Sequence, residues 1–100
     1  MYKLALSHSE VLAQDDGVVL DSTVGGVLRE AAFESSNTLA LVEYNEKCQI
    51  GKCWSYAELL SDSEKLAIEL SRVFKKGERI AVWAPNIPEW VLLEYASALA

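Results

Sequence analysis

The sequence predicts an α/β layer fold, assembled in the order helix, β-hairpin, helix, strand, helix. Three observations carry that expectation. Residues 55–74 form a capped and strongly periodic helical stretch, residues 80–84 are apolar throughout, and two β-rich runs flank a polar turn between residues 38 and 54. Helices that alternate with strands in this way pack as layers on a sheet, not as a bundle or a sandwich.

Residues 1–22 carry scattered apolar side chains and a turn signal at Asp15-Asp16-Gly17, which reads as an extended N-terminal arm. Thr23 is placed to cap a first helix, with Val24, Val27, Leu28 and Ala31 on one stripe. Gly25 and Gly26 weaken that helix, by about 1 kcal/mol each in an interior position. Ser35-Ser36-Asn37 ends it. Thr38–Tyr44 then reads as a strand, Asn45-Glu46-Lys47 as a turn, and Lys52–Trp54 as a second short strand. Antiparallel pairing gives a hairpin whose loop contains Gly51, with Cys48 and Cys53 in or beside it.

The clearest element follows. Ser55 and Glu58 have the spacing of a capping box, in which the serine hydroxyl accepts from the backbone three residues on and the glutamate reaches back. Tyr56, Leu59, Leu60, Ser63, Leu66, Ala67, Leu70, Val73 and Phe74 trace one face of the helix. Glu58, Asp62, Lys65, Glu69 and Arg72 fall on the other. Gly77 stands where a helix C-terminus favours positive φ. Ile80–Ala84 has the two-faced apolar character of a central strand. Pro85-Asn86-Ile87-Pro88 interrupts it, and Asn86 or Ile87 is expected to cap a last helix with Pro88 in its first turn.

Composition narrows the functional classes. The 100 residues are 51% hydrophobic and 24% charged, which is globular and not disordered. A net charge of −6 argues against nucleic acid or an anionic membrane surface, since phosphate binding needs clustered Lys and Arg. Lys75, Lys76 and Arg79 enclose Glu78 and read as a solvated turn. No secretory leader and no apolar run near the ~20 residues of a membrane span is visible, so a cytoplasmic protein with two reduced thiols is expected. Cys48 and Cys53 have neither redox-motif nor zinc-site spacing, and the single histidine, His8, reads as a solvated surface residue.

No residue qualifies as catalytic, cofactor-binding or metal-ligating. The strand-to-helix junction Ala84–Glu89 contains no glycine, whereas a phosphate-cradling turn needs glycines so that backbone N–H groups can approach the anion. Asp21-Ser22 resembles the attachment site of an acyl carrier protein. Thr23 after the serine and the β-rich 38–54 segment speak against that fold. Glu58 and Asp62 lie on the solvated helix face and read as surface charges, not an acid/base pair.

With the elements placed, several stretches resemble the adenylate-forming superfamily of acyl-CoA synthetases, luciferases and peptide-synthetase adenylation domains. Cys53-Trp54-Ser55-Tyr56-Ala57-Glu58-Leu59 is similar to its (Thr/Ser)-Tyr-x-Glu-Leu motif. Lys76–Val82 is similar to its "GD(R/K)VAV" stretch, and Pro85–Trp90 matches its "PNxPEW" turn. Thr23–Ala32 looks like the family's opening helix, and Asn37–Val42 sits at its "(R)PALV" strand, with Thr38 in place of the proline. The wording over residues 76–95 is closest to the fatty-acid–CoA ligase branch.

The resemblance implies a two-step ligase. ATP and a fatty acid, with Mg²⁺, would give an acyl-adenylate, and coenzyme A would then displace AMP. Family members are several times longer. Their phosphate loop, ribose-binding motif and catalytic lysine have no counterpart among these residues, so the chain is expected to be scaffold that binds none of these cofactors. Two physical features agree. The helix after Pro88 is apolar almost all round, and the strand at 80–84 lacks neighbours, so residues 23–100 read as the first part of a larger AMP-binding domain whose remainder is their partner. The alternative from another class is a freestanding, non-catalytic α/β domain that binds a partner through the apolar 87–100 helix.

Overall fold

The structure, a computed structural model, describes residues 8, 10–13, 17 and 19–100. Its elements are α1 (Val24–Glu34), β1 (Leu39–Tyr44), β2 (Ile50–Ser55), α2 (Tyr56–Val73) and α3 (Glu89–Leu99). The mixed α/β character is as the sequence predicts. Most of the expected N-terminal arm, including Asp15 and Asp16, lies outside the described residues.

Each helix start follows from local chemistry. The Thr23 hydroxyl accepts from the Gly26 N–H at 3.0 Å and satisfies one of the free donors of α1. Gly25 is buried where α3 crosses. A Cβ there would come within 2.7 Å of the Leu99 side chain, so the glycine serves close helix approach. At α2 the capping box is complete. The Glu58 N–H donates to Ser55 Oγ at 3.3 Å, and the Ser55 N–H donates to Glu58 Oε2 at 2.8 Å. Ser55→Ala is therefore expected to lower stability by about 1 kcal/mol, the usual cost of a lost N-cap, read as a shifted urea midpoint. An unchanged midpoint would remove the box from any part in stability.

The hairpin is longer than the sequence suggests. β2 runs from Ile50 to Ser55, so Gly51 belongs to the strand and not to the loop, and Cys53 lies in the strand as expected. Val42 faces Cys53 and Leu41 faces Trp54, with register irregularities on either side. The turn is organised by Asn45, whose Oδ1 accepts from the N–H groups of Lys47 and Gln49 at 2.9 Å. That side chain supplies the bonds a glycine turn would otherwise make, and Cys48 takes the positive φ of 55°.

Two helix boundaries differ from expectation. Gly77 does not end α2, which stops at Val73. It sits with φ 88° in the turn closed by the Glu78 N–H on the Lys75 carbonyl at 3.1 Å, where positive φ is required at the third position. Neither Asn86 nor Ile87 caps α3. Pro88 itself is the N-cap, and no side chain bonds to the first turn.

The larger difference is at residues 80–84, which form no strand. The sequence reads them as central, but β1 and β2 pair only with each other. A strand is defined by its partner, and among the described residues this segment has none.

The core lies where the three helices meet. α2 packs chiefly on α3, and α1 lies against both, with the hairpin at the N-terminal end of α2. Leu28 and Leu59 are 2% and 3% exposed, and Ala32, Ala67 and Ala96 fill the rest. Ser63 joins this core fully buried, and its hydroxyl has no hydrogen-bond partner among the described residues. Small side chains at the junction let the helix axes approach closely. The same choice leaves few large groups to hold it together.

Candidate functional site

The PNxPEW-like turn joins segments that are distant in the sequence. Trp90, one residue into α3, turns its indole back, and Nε1 donates to the Ala84 carbonyl at 3.2 Å. This closes the turn across Pro85–Glu89, with Pro88 buried beneath it. Glu89 points the other way. Its Oε1 accepts from Lys52 Nζ at 2.9 Å and so ties the start of α3 to the outer strand of the hairpin, 37 residues earlier in sequence. The motif is thus a clasp between segments distant in the chain.

Around it lies an apolar trough of 460 Å³ between the end of α2, the 75–82 segment and α3. Leu70, Phe74, Ile80, Val82, Trp90 and Leu93 form its walls. Nearer the start of α2, Trp54 Nε1 donates to Asp62 Oδ2 at 3.2 Å. Lys65 Nζ bonds the other oxygen of the same carboxylate at 2.9 Å.

Three carboxylates in these contacts are held below their usual range. The Ser55 backbone N–H and then its hydroxyl lower Glu58. Lys65, with a smaller contribution from Trp54, lowers Asp62, and Lys52 lowers Glu89 while its own ammonium is held on more firmly. Because the folded state binds these protons less tightly, their stabilisation is complete above the unfolded values, about 4.3 for Glu and 3.9 for Asp. It is lost as pH falls through the lower folded values. Urea midpoints are expected to be level from about pH 7 to about pH 5 and to drop below about pH 4. A midpoint that stayed level at low pH would show these contacts to be absent in solution.

Among the described residues no three of His, Cys, Asp and Glu come together as a metal site. The N-terminus of α3 begins with Pro88 and the acidic Glu89, an unfavourable seat for a phosphate. Cys48 and Cys53 are exposed and free, and His8 Nε2 lies 3.2 Å from Glu10 Oε2. Ser22 is exposed beside the cap of α1, with its hydroxyl on the Thr23 carbonyl at 3.3 Å. Among the described residues the donors do not form a set that fits ATP and Mg²⁺. The sequence missed the Trp90–Ala84 bond and the Lys52–Glu89 pair. Only the closeness of Pro85, Pro88 and Trp90 hinted at the first, and nothing local signalled the second.

Comparison with known proteins gives the surfaces a context. The sequence profile of the AMP-binding enzyme family matches residues 28–100. A medium-chain acyl-CoA ligase from Rattus norvegicus, ACSF2, named as mitochondrial, is 30% identical over 93 residues. That alignment takes in 92% of this chain and 14% of the rat protein. The zebrafish (Danio rerio) protein of the same name is 45% identical over 47 residues, 46% of this chain and 8% of its own length. A putative acyl-CoA synthetase from Bacillus subtilis, YngI, is 30% identical over 81 residues, 80% of this chain and 14% of the relative. No solved structure matches.

Proposed function

The chain belongs to the AMP-binding enzyme family, and from that membership we infer that it is the opening scaffold of an ATP-dependent acid–CoA ligase acting on fatty acids. One observation carries the reading: relatives named as acyl-CoA ligases align over as much as 92% of this chain. The alignments span a small part of those curated relatives, 14% of the rat protein and 8% of the zebrafish one. The chemistry is accordingly assigned to a longer protein that contains it.

In that protein a carboxylate oxygen attacks the α-phosphorus of ATP, pyrophosphate leaves, and the acyl-adenylate is then opened by the thiol of coenzyme A. The products are a thioester and AMP. Mg²⁺ would be held by residues outside this chain and would supply neutralisation of the phosphate charge. Residues 23–100 contribute no group to either step. Their part is to hold the capped helix, the clasp at Glu89–Trp90 and the trough in a fixed relation, so that the rest of the AMP-binding domain can pack on them. Cytoplasmic residence and a place in fatty acid metabolism belong to the same proposal. Among the described residues no helix is long and apolar enough to cross a membrane.

The test is the longer reading frame that encodes this segment. Its product is expected to convert a fatty acid, ATP and coenzyme A to acyl-CoA, AMP and pyrophosphate in equal amounts. A longer product without that activity would overturn the ligase reading. The exposed trough favours a second reading, a freestanding interaction domain that grips a partner through α3. A natural stop after codon 100, with retained partner binding, would favour it.

A further inference from the structure

The hairpin carries one residue more on β2 than β1 can pair. Val42 faces Cys53 and Tyr44 faces Ile50, so Gly51 and Lys52 together stand opposite Glu43. This is a β-bulge, which leaves a residue unpaired and re-aims the side chains beside it. Here a side chain takes up the Lys52 N–H. The Glu43 carboxylate folds over the bulge, and its Oε2 accepts from that N–H at 3.0 Å. Gly51 makes room for it. A Cβ at that position would lie 2.5 Å from the same oxygen and 3.2 Å from the carboxyl carbon.

Lys52 is also the residue that reaches α3. Among the helices the hairpin packs on α2 alone, and no described packing joins it to α3. The contact between Lys52 Nζ and Glu89 Oε1, at 2.9 Å, spans that gap, with both side chains exposed. An exposed pair of long side chains is weak as a rule, because solvent screens it and both chains must be ordered. A fixed backbone at one partner lowers that ordering cost. The bulge fixes it at Lys52. Because the extra residue breaks the alternation of the strand, it also sets which way that side chain leaves the sheet.

We propose that Glu43 and Gly51 are positioning residues for the Lys52–Glu89 contact: the bulge that Glu43 closes aims Lys52, and Lys52 so aimed holds the first turn of α3 to the hairpin. The whole device lies within residues 42–53 and residue 89. Glu43 engages the main-chain N–H of Lys52 and Glu89 its ammonium, so the two carboxylates do not compete for one donor. Glu89 is held below its usual range first by the hydrogen bond from Lys52, the one charged side chain that acts on it. Its carboxyl is therefore a reporter of the contact. The inference is independent of the ligase reading, since no step of catalysis enters it.

Carbon NMR titration of the Glu89 side-chain carboxyl, in the full chain and its variants, tests it. In the wild type that carboxyl is expected to titrate below the usual glutamate range. Lys52→Ala should raise it and so set the level of a released Glu89. Glu43→Ala should raise it to the same level. The sign decides the matter, because removing a nearby negative charge would by electrostatics alone make Glu89 easier to ionise and lower its value. Glu43→Gln keeps an oxygen for the Lys52 N–H and should leave Glu89 as in the wild type. Gly51→Ala should act as Glu43→Ala does, since the end of the Glu43 side chain must swing away from the new methyl and give up the N–H. If Gly51→Ala loses its helical circular dichroism, Glu43→Ala decides alone. An unperturbed Glu89 in the wild type overturns the proposal. So does a Glu89 that Lys52→Ala raises and Glu43→Ala leaves low, because the pair then forms without the bulge. A released Glu89 in Glu43→Gln, where the accepting oxygen remains, overturns it as well.

Discussion

Purified residues 1–100, mixed with ATP, Mg²⁺ and a fatty acid, are expected to release no pyrophosphate above the buffer rate and to form no thioester with coenzyme A. Adenylation requires donors aimed at the phosphates and positive charge where the transition state gathers negative charge. The positive groups are committed or scattered. Lys52 is engaged by Glu89, Lys65 by Asp62 and Arg72 by Glu69, and Arg29 lies 3.6 Å from Glu64. Lys75 and Lys76 line the trough beside Glu78 and Glu94, so their field is offset where they stand. The glycine at hand, Gly77, sits in a turn that no helix N-terminus follows directly. The absent catalytic groups act as a unit, so the expected loss relative to a complete ligase is the whole enzymatic acceleration, on the order of 10⁶-fold or more. Pyrophosphate release by the pure chain, abolished by EDTA, would overturn the claim that these residues are scaffold.

The parts legible in the sequence were those fixed by contacts within a few residues. Thr23 and Gly26, or Ser55 and Glu58, are three apart, and both caps form as read. The stripe through Leu59, Ser63 and Ala67 is buried as its period requires. Where partners are distant, the reading faltered. Val73 continues the apolar period of α2 yet is 75% exposed, and Phe74 after it is only partly covered where it lines the trough. The 80–84 segment has the composition of a central strand, but composition does not supply the neighbour. Of the clasp, Pro88 and Trp90 are legible as part of a motif. The Lys52–Glu89 contact depends on how the hairpin lies against α3, and no spacing rule reaches across 37 residues.

The inventory of the core yields the other large expectation. Leu59→Ala should remove most of the cooperative unfolding transition of the isolated chain, and Leu28→Ala should do nearly the same. Each leucine is buried at the three-helix junction, and the remaining buried apolar residues, Ala32, Ala67 and Ala96, are too small to bury much area. Truncating a core leucine costs about 2–5 kcal/mol, because the transfer free energy of the lost atoms adds to that of the cavity. A complete domain of this size holds about 5–15 kcal/mol in reserve. This chain should hold less, since Phe33, Val73 and Trp83 stay in solvent and contribute no burial. One such truncation is therefore comparable to the whole stability. Ser63→Ala sets the scale in the opposite direction. Its hydroxyl is buried without a partner, so the substitution removes an uncompensated polar group and a small volume together, and should be neutral or slightly stabilising. Thermal unfolding followed by circular dichroism separates the two. A Leu59→Ala chain that melts as sharply as the wild type, and at a similar temperature, would mean that the three-helix junction is not what holds these residues together.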